Sequence, residues 1–406
     1  MTLGSWKALI GMLVLTMGTS TLTPLLPLYK SHFGISTGTA TLLFVTYTVT
    51  VCPTMLIAGN LADRLGRKKL LLPALVTMTL ASLVFALAES VPMLFAGRVL
   101  QGLAIGGFLG VGAAFVVDHA REDSKALAAA LAGVFFRLGF GLGPGLAGIM
   151  AQYGPNPRHS PFWGHILLMV IGIIAIATAS ETLMRRRDPG PFRIRIGVPP
   201  GQAAGFLTYV APATFMMSFV EGTVLSVVPI FVVETLGVTN LAIVGAIGFM
   251  VLALGGLAPF LVRGLDPRRS VMIGAVSSSI LSLLIVASSG LDAVWLVLVA
   301  AAAIGIMNGF ILFGGTVICG TIVPIQERGK LMSLLYMCAY AGTIPTVLLG
   351  YLGDGIGLTP TLGIFSAMAI AIALFVTVVG SRLFPEVVPY REEPVHGPEQ
   401  AVPSAT

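Results

Sequence analysis

Gly59-Asn60-Leu61-Ala62-Asp63-Arg64-Leu65-Gly66-Arg67-Lys68-Lys69 separates two long apolar runs, one ending near Ala58 and one beginning at Leu70. Five charges and two glycines fall within these eleven residues. So short a link must leave one membrane helix and enter the next almost at once. Gly59 suits a close backbone approach and Gly66 a turn with positive φ. Asp63 suits the N-terminus of a helix, where a carboxylate is favoured. Arg64, Arg67, Lys68 and Lys69 mark the cytoplasmic side, because cations concentrate in cytoplasmic loops.

The rest of the chain has the same character. It is 406 residues long, 56% hydrophobic and only 10% charged, with a mean hydropathy of +0.96. Soluble domains do not carry so much apolar surface. A bilayer-spanning helix takes about 20 apolar residues, so the length accommodates about twelve. The apolar pattern predicts helices near 6–28, 38–60, 70–89, 92–117, 126–151 and 162–183, then 204–234, 239–262, 270–289, 292–322, 331–353 and 359–382. The first run is too long for a signal h-region and is expected to be a retained helix. The 49 glycines and 25 prolines are tolerable inside such helices, where neighbours re-satisfy freed backbone groups.

With both termini inside, nineteen of the 23 Lys and Arg residues fall on the cytoplasmic side, and Lys30 and Arg158 fall outside. Arg98 and Arg137 lie within spans. The net charge of +6 is therefore topology and not a nucleic-acid face. Cys52, Cys319 and Cys338 sit in apolar runs without metal-like spacing and are expected to pack. No phosphate loop, metal cluster or catalytic triad is visible, so no cofactor and no enzyme activity is expected.

The chain divides into a six-helix bundle over 1–183, a cytoplasmic linker over 184–202, a second six-helix bundle over 203–384 and a disordered cytoplasmic tail over 385–406. The halves repeat. Gly59 to Lys69 can be laid on Pro259 to Arg269, with Asp63 falling on Arg263, so the second copy is degenerate.

The stretch from Gly59 to Lys69 closely resembles the signature loop of the major facilitator superfamily, G-x-L-x-D-R-x-G-R-K, which lies between its second and third helices. Arg98-Val99-Leu100-Gln101-Gly102 resembles a second family motif, R-x-x-Q-G, whose arginine the family links to proton coupling. Gly139 to Gly148, containing Gly143 and Pro144, resembles the glycine-proline motif of exporters, with Ala147 replacing one glycine. The resemblance implies an all-α membrane protein of twelve transmembrane helices in two pseudo-symmetric bundles, with the substrate site between them near mid-membrane. It also implies that Gly59, Asp63, Arg64, Gly66, Arg67 and Asp118 form a gate. In that gate Asp118 pairs with Arg67, and Asp63 docks on the eleventh helix. As bare residues these could equally form a loop salt bridge. Small residues four apart, Gly139 and Gly143 among them, are expected to press the fifth helix against a neighbour from the other half, and Pro144 can kink it.

Charges within the membrane are expensive, roughly 2.5–3.5 kcal/mol each, and need a reason. Counting the rise per residue, Arg98 lies about 9 Å from the outer end of its helix, Arg137 about 18 Å from its inner end and Glu221 about 24 Å from its inner end. All three could therefore meet across the cavity, with Glu221 the best candidate for a titrating group. Each arginine could instead anchor backbone carbonyls. Many drug/proton antiporters carry an acid in the first helix; here only Thr16, Thr19, Ser20, Thr21 and Thr23 are available, which shifts the expectation to Glu221. Gln101, Asn308, Tyr336 and Tyr340 are candidates to line the cavity, or to bond between helices. His165 is expected at the interface.

The expected function is secondary export of a small amphipathic organic compound or drug by alternating access, coupled to protons. The expected setting is a bacterial plasma (inner) membrane, as a monomer within the lipid bilayer. Two alternatives stand beside it. Two arginines against one glutamate would favour an organic anion or metabolite, and a non-transporting sensor or scaffold could use the same fold.

Overall fold

The computed structural model describes residues 1–182, 197–198, 202–324 and 328–384. The linker expected over 184–202 lies almost wholly outside these residues, and the tail expected over 385–406 lies entirely outside them. All regular structure among the described residues is helical. Twelve helical spans are long and apolar enough to cross a membrane. They are α1 (Leu3–Phe33), α2 (Thr37–Leu65), α3 (Lys68–Ala86), α4 (Val91–Asp118), α5 (Glu122–Tyr153), α6 (Ser160–Ala177), α7 (Ala203–Glu234), α8 (Leu241–Leu261), α9 (Pro267–Gly290), α10 (Val294–Thr321), α11 (Arg328–Ile356) and α12 (Leu358–Leu383).

The chain's own chemistry sets the ends. Ser36 accepts a hydrogen bond from Thr39 N at 3.1 Å to start α2, and Asn240 Oδ1 accepts from Ala242 N at 2.9 Å to start α8. Both follow the preference for short polar side chains at N-caps. The signature stretch is more helical than expected: α2 runs through Leu65 and α3 begins at Lys68, leaving Gly66 and Arg67 as the whole link. Gly66 has φ +99°, a conformation that favours glycine. A Cβ at Gly59 would meet nothing within 4 Å, so Gly59 serves no close approach here. The degenerate second copy uses a longer link, in which Asp266 accepts from Arg268 N and Arg269 N to cap α9.

Sequential spans return antiparallel, as short loops require. Packing between the first six and last six spans is concentrated in α5 against α8 and α2 against α11, which are equivalent pairs under the internal repeat. Two interior clusters of apolar side chains show how the halves meet. One contains Leu22, Leu25, Leu43 and Phe44 from the first half together with Phe219, Val220 and Phe365 from the second. The other, around Leu9, Leu71, Phe108 and Phe115, belongs to the first half. The halves are thus welded at the face opposite the signature stretch, hereafter the distal face. They part toward the basic face that carries Arg67, Lys68 and Lys69.

Candidate functional site

A cavity of about 800 Å³ lies between the halves. α7 contributes Met217, Glu221 and Leu225, four residues apart and therefore on one face. α5 contributes Phe136, Arg137 and Phe140, and α11 contributes Tyr336 and Tyr340. Phe44 and Tyr47 of α2, Thr19 and Ser20 of α1, Leu252 of α8 and Leu312 of α10 also line it. A second cavity of about 1110 Å³ adjoins it on the basic side, lined by Met12, Met55, Gly59 and Met332 among others. Phe136 and Tyr336 line both. The space between the halves therefore opens toward the basic face.

Arg137 Nη1 donates to Glu221 Oε1 at 2.5 Å, joining α5 to α7 across the halves. The two side chains are 9% and 13% exposed. A pair so poorly solvated is held by mutual charge, and removing one partner strands the other. Arg137 Nη2 also faces Met217 Sδ at 4.0 Å. α8 leaves α-helical geometry at Leu254–Leu257, where the guanidinium packs: a Cβ on Gly255 would lie 3.5 Å from Arg137 Cζ and 2.9 Å from the Gly305 carbonyl oxygen.

Arg98 does not join this pair. It is fully buried behind the rings of Phe44 and Tyr47, with its guanidinium carbon 5.3 and 5.4 Å from their centroids. Its Nη1 donates to the Thr19 carbonyl at 2.9 Å and to Gln101 Oε1 at 3.0 Å. Gln101 Nε2 donates to the Gly18 carbonyl at 2.7 Å. Both residues tie α4 to α1 just before α1 gives way to a 3-10 turn at Thr23–Leu25. Gln101 is accordingly no cavity residue. Nor is Asn308, which is fully buried, accepts from Ser278 Oγ at 2.8 Å and donates to the Met217 carbonyl at 3.3 Å. Tyr336 and Tyr340 do line the cavity, and the Tyr340 ring meets Tyr47 edge-on across the halves at 6.4 Å. Arg137 is thus paired with Glu221, and the second intramembrane arginine, Arg98, lies behind the Phe44 and Tyr47 rings and not in the cavity itself.

The gate residues divide. Arg67 pairs with Asp118 at 2.8 Å, but both belong to the first half, so this contact does not link the halves. Arg64 lies in the last turn of α2, partly buried. Asp63 is exposed, and residues 325–327, just before α11, lie outside the described residues. The N-terminus of α3 is capped by Glu181, whose carboxylate accepts from Arg67 N at 3.1 Å and Lys68 N at 3.0 Å. Nothing in the sequence near Gly66 points to a residue so distant.

The glycine motif packs on two helices. Gly139 and Gly143 press on the backbone of α1 in their own half, whereas Gly141 and Gly148 press on α8 of the other half. The prediction of a cross-half contact for Gly139 and Gly143 is thus corrected: 139 and 143 share one face of α5, and 141 and 148 another. Pro144 lies within a continuous helix, and its ring fills the space beside Gly248. His165 is buried, not interfacial: its Nε2–H donates to the Val14 carbonyl at 2.9 Å, and Ser82 Oγ donates to its Nδ1 at 2.8 Å. Among the described residues no three His, Cys, Asp or Glu side chains gather as a metal site would require.

A family profile for the Major Facilitator Superfamily matches residues 8–263 and 210–406, and so nearly the whole chain. The chain belongs to the major facilitator superfamily. It is a multi-pass integral membrane protein. Among curated relatives of this superfamily member, the bacillibactin exporter of Bacillus subtilis (strain 168) is 36% identical over 124 residues, 29% of this chain and 31% of that protein. Multidrug resistance protein 1 of the same organism is 25% identical over 208 residues, 51% of each chain. The matched stretches thus cover from about a third to half of those relatives. Among solved structures, a glutamate-to-glutamine variant of the peptide transporter POT superposes with a TM-score of 0.78 at 14% identity, over 94% of both chains. A POT family transporter in complex with 5-aminolevulinic acid gives 0.76 at 13% identity, over 94% of this chain and 96% of that one. At such identities the likeness is one of fold.

Proposed function

We propose that this superfamily member exports a small amphipathic organic compound by alternating access, in exchange for protons, and that Glu221 carries the proton. The observation behind this reading is the Arg137–Glu221 pair, which bridges the halves inside the cavity. The paired, ionised form is the state reached once a proton has left toward the basic face. A proton arriving from the distal side takes the carboxylate oxygen that now accepts from Arg137, the charge of Glu221 is lost, and the tie between α5 and α7 weakens. Proton occupancy thereby biases how the halves pack.

The cavity wall supports the substrate class. Phe44, Tyr47, Phe136, Phe140, Tyr336 and Tyr340 offer ring faces, with a small polar contribution from Thr19 and Ser20. Such a wall suits a compound with an aromatic or aliphatic body and one polar end. The exporter and multidrug names of the relatives point the same way. The organic-anion reading is weakened, because the arginine that lines the cavity is already paired with Glu221. We further assign the basic face, with both chain ends, to the cytoplasm of a bacterial inner membrane, and a monomer as the working unit. Gly59, Asp63, Arg64, Gly66, Arg67 and Asp118 form the cytoplasmic gate in this reading. Proteoliposomes loaded with cationic, neutral and anionic dyes, with and without a pH gradient, test it. Gradient-driven export of cationic or neutral amphipathic dyes is expected. Gradient-independent movement, or movement of anionic dyes alone, would overturn it.

A further inference from the structure

At the distal face the first two backbone N–H groups of α2 are taken by a side chain from the other half. Asp354 Oδ1 accepts from Thr37 N at 2.8 Å, and Oδ2 accepts from Gly38 N at 2.9 Å. Asp354 sits in the last turn of α11, so one carboxylate spans the boundary between the halves. The backbones are shaped to bring it there. A Cβ on Gly350 would collide with Thr41 and lie 3.0 Å from Gly38 Cα, and the ring of Tyr351 fills the place a Cβ on Gly38 would need. The carboxylate meets two N–H groups that have no partner within their own helix, at the positive end of the helix dipole. Charge-assisted bonds of this kind are about twice as strong as neutral ones.

The other bonds that close the distal face are weaker in kind. Lys30 pairs with Glu234 at 2.7 Å, with side chains 20% and 40% exposed; Asp354 is exposed too, but it accepts from fixed backbone N–H groups, whereas this pair must also immobilise two long side chains. Gln152 Oε1 accepts from Leu241 N at 2.8 Å, and the Thr48 and Thr343 hydroxyls lie 3.3 Å apart. Both of these are neutral.

We propose that Asp354 is the latch of the distal gate: its carboxylate, docked on the N-terminus of α2, holds the inward-facing state and must undock whenever the cavity opens to the distal side. Asp354 is a positioning residue, acting on the substrate only through the placement of α2 against α11. The assignment rests on the alternating-access reading above but not on proton coupling.

The test needs neither substrate nor gradient, so its failure is distinct from failure of the coupling reading. In the full chain, with Cys52, Cys319 and Cys338 replaced by alanine, Ser218→Cys places a reporter thiol in the central cavity. A membrane-impermeant maleimide is then applied to right-side-out or inverted vesicles, and the ratio of distal to basic-side labelling rates is read. Asp354→Asn is expected to raise that ratio about tenfold, the equivalent of losing one charge-assisted hydrogen bond. Asp354→Glu, which keeps the carboxylate, and Lys30→Ala are expected to stay within about twofold of the parent. Gly350→Ala keeps the carboxylate but wedges the backbones apart, and is expected to raise the ratio as Asp354→Asn does, which covers the case in which Asp354→Asn fails to fold. A merely structural role would lower thermal stability without changing sidedness. An unchanged ratio in folded Asp354→Asn, an unchanged ratio in Gly350→Ala where Asp354→Asn does not fold, or an equal rise in Lys30→Ala, would overturn the proposal.

Discussion

Glu221 Oε1 receives the Arg137 Nη1 proton donor at 2.5 Å, with one residue on the seventh span and the other on the fifth. Each half of the protein therefore supplies one charge to an ionic link inside the cavity. Neither half can rock without stretching that link, so the state of a single carboxylate bears on the packing of both. Glu221→Gln keeps the shape and one weak acceptor but removes the charge and the titration. We expect it to retain downhill dye movement and to lose the acceleration by a distal-acid pH gradient. Parallel proteoliposome assays of wild type and variant check this.

The pair is also expected to be coupled energetically. Arg137→Met alone strands a carboxylate, and Glu221→Gln alone strands a cation, each at a cost of about 3–5 kcal/mol. The double variant strands neither. In a double-mutant cycle on thermal or denaturant unfolding the double variant should lose no more than either single variant, so the coupling energy should be at least about 3 kcal/mol. Additive losses would argue that the two groups do not sense each other.

Gln101 and Tyr340 should fail differently. Gln101→Leu leaves the Gly18 carbonyl without its donor, at a cost of about 1–3 kcal/mol of stability, while KM for the transported dye stays put. Tyr340→Ala removes an aromatic wall and is expected to raise KM roughly tenfold with a smaller loss of stability. Melting curves and transport kinetics on both variants check the contrast.

Glycine at 148 lets α5 and α8 touch. A Cβ there would lie 2.5 Å from the Leu241 carbonyl oxygen and 2.8 Å from Gly245 Cα, and backbone cannot yield cheaply. Gly148→Ala should cost roughly 1–3 kcal/mol. Gly59→Ala, where a Cβ meets nothing within 4 Å, should cost little. Melting temperatures of the two variants make the comparison.

The spans were legible because each needs a run of apolar residues long enough for the bilayer, and the signature stretch was legible because its charges interrupt those runs. The meeting of Arg137 and Glu221 was legible for a related reason, since a charge in hydrocarbon must find a partner. The direction of other polar side chains was not. Spans apolar all round carry no hydrophobic stripe to show which face turns inward, so Gln101 and Asn308 read as readily toward a cavity as toward a neighbouring helix. Glu181 and Asp354 were hidden because each caps a helix distant in sequence. A cap read from sequence is local, whereas these are set by how whole helices come to rest. Gly255 was one glycine among 49, and only the approach of the Gly305 carbonyl, 2.9 Å from where a Cβ would lie, shows why it has no side chain.

Proton release on substrate binding tests the central claim most directly. Purified protein in weakly buffered detergent solution is mixed with a dye that the wild type transports, and the pH is followed. The account predicts that wild type exchanges protons with the solution on binding and that Glu221→Gln, binding the same dye, exchanges none. Equal proton exchange by both proteins would contradict the assignment of the coupling proton to Glu221.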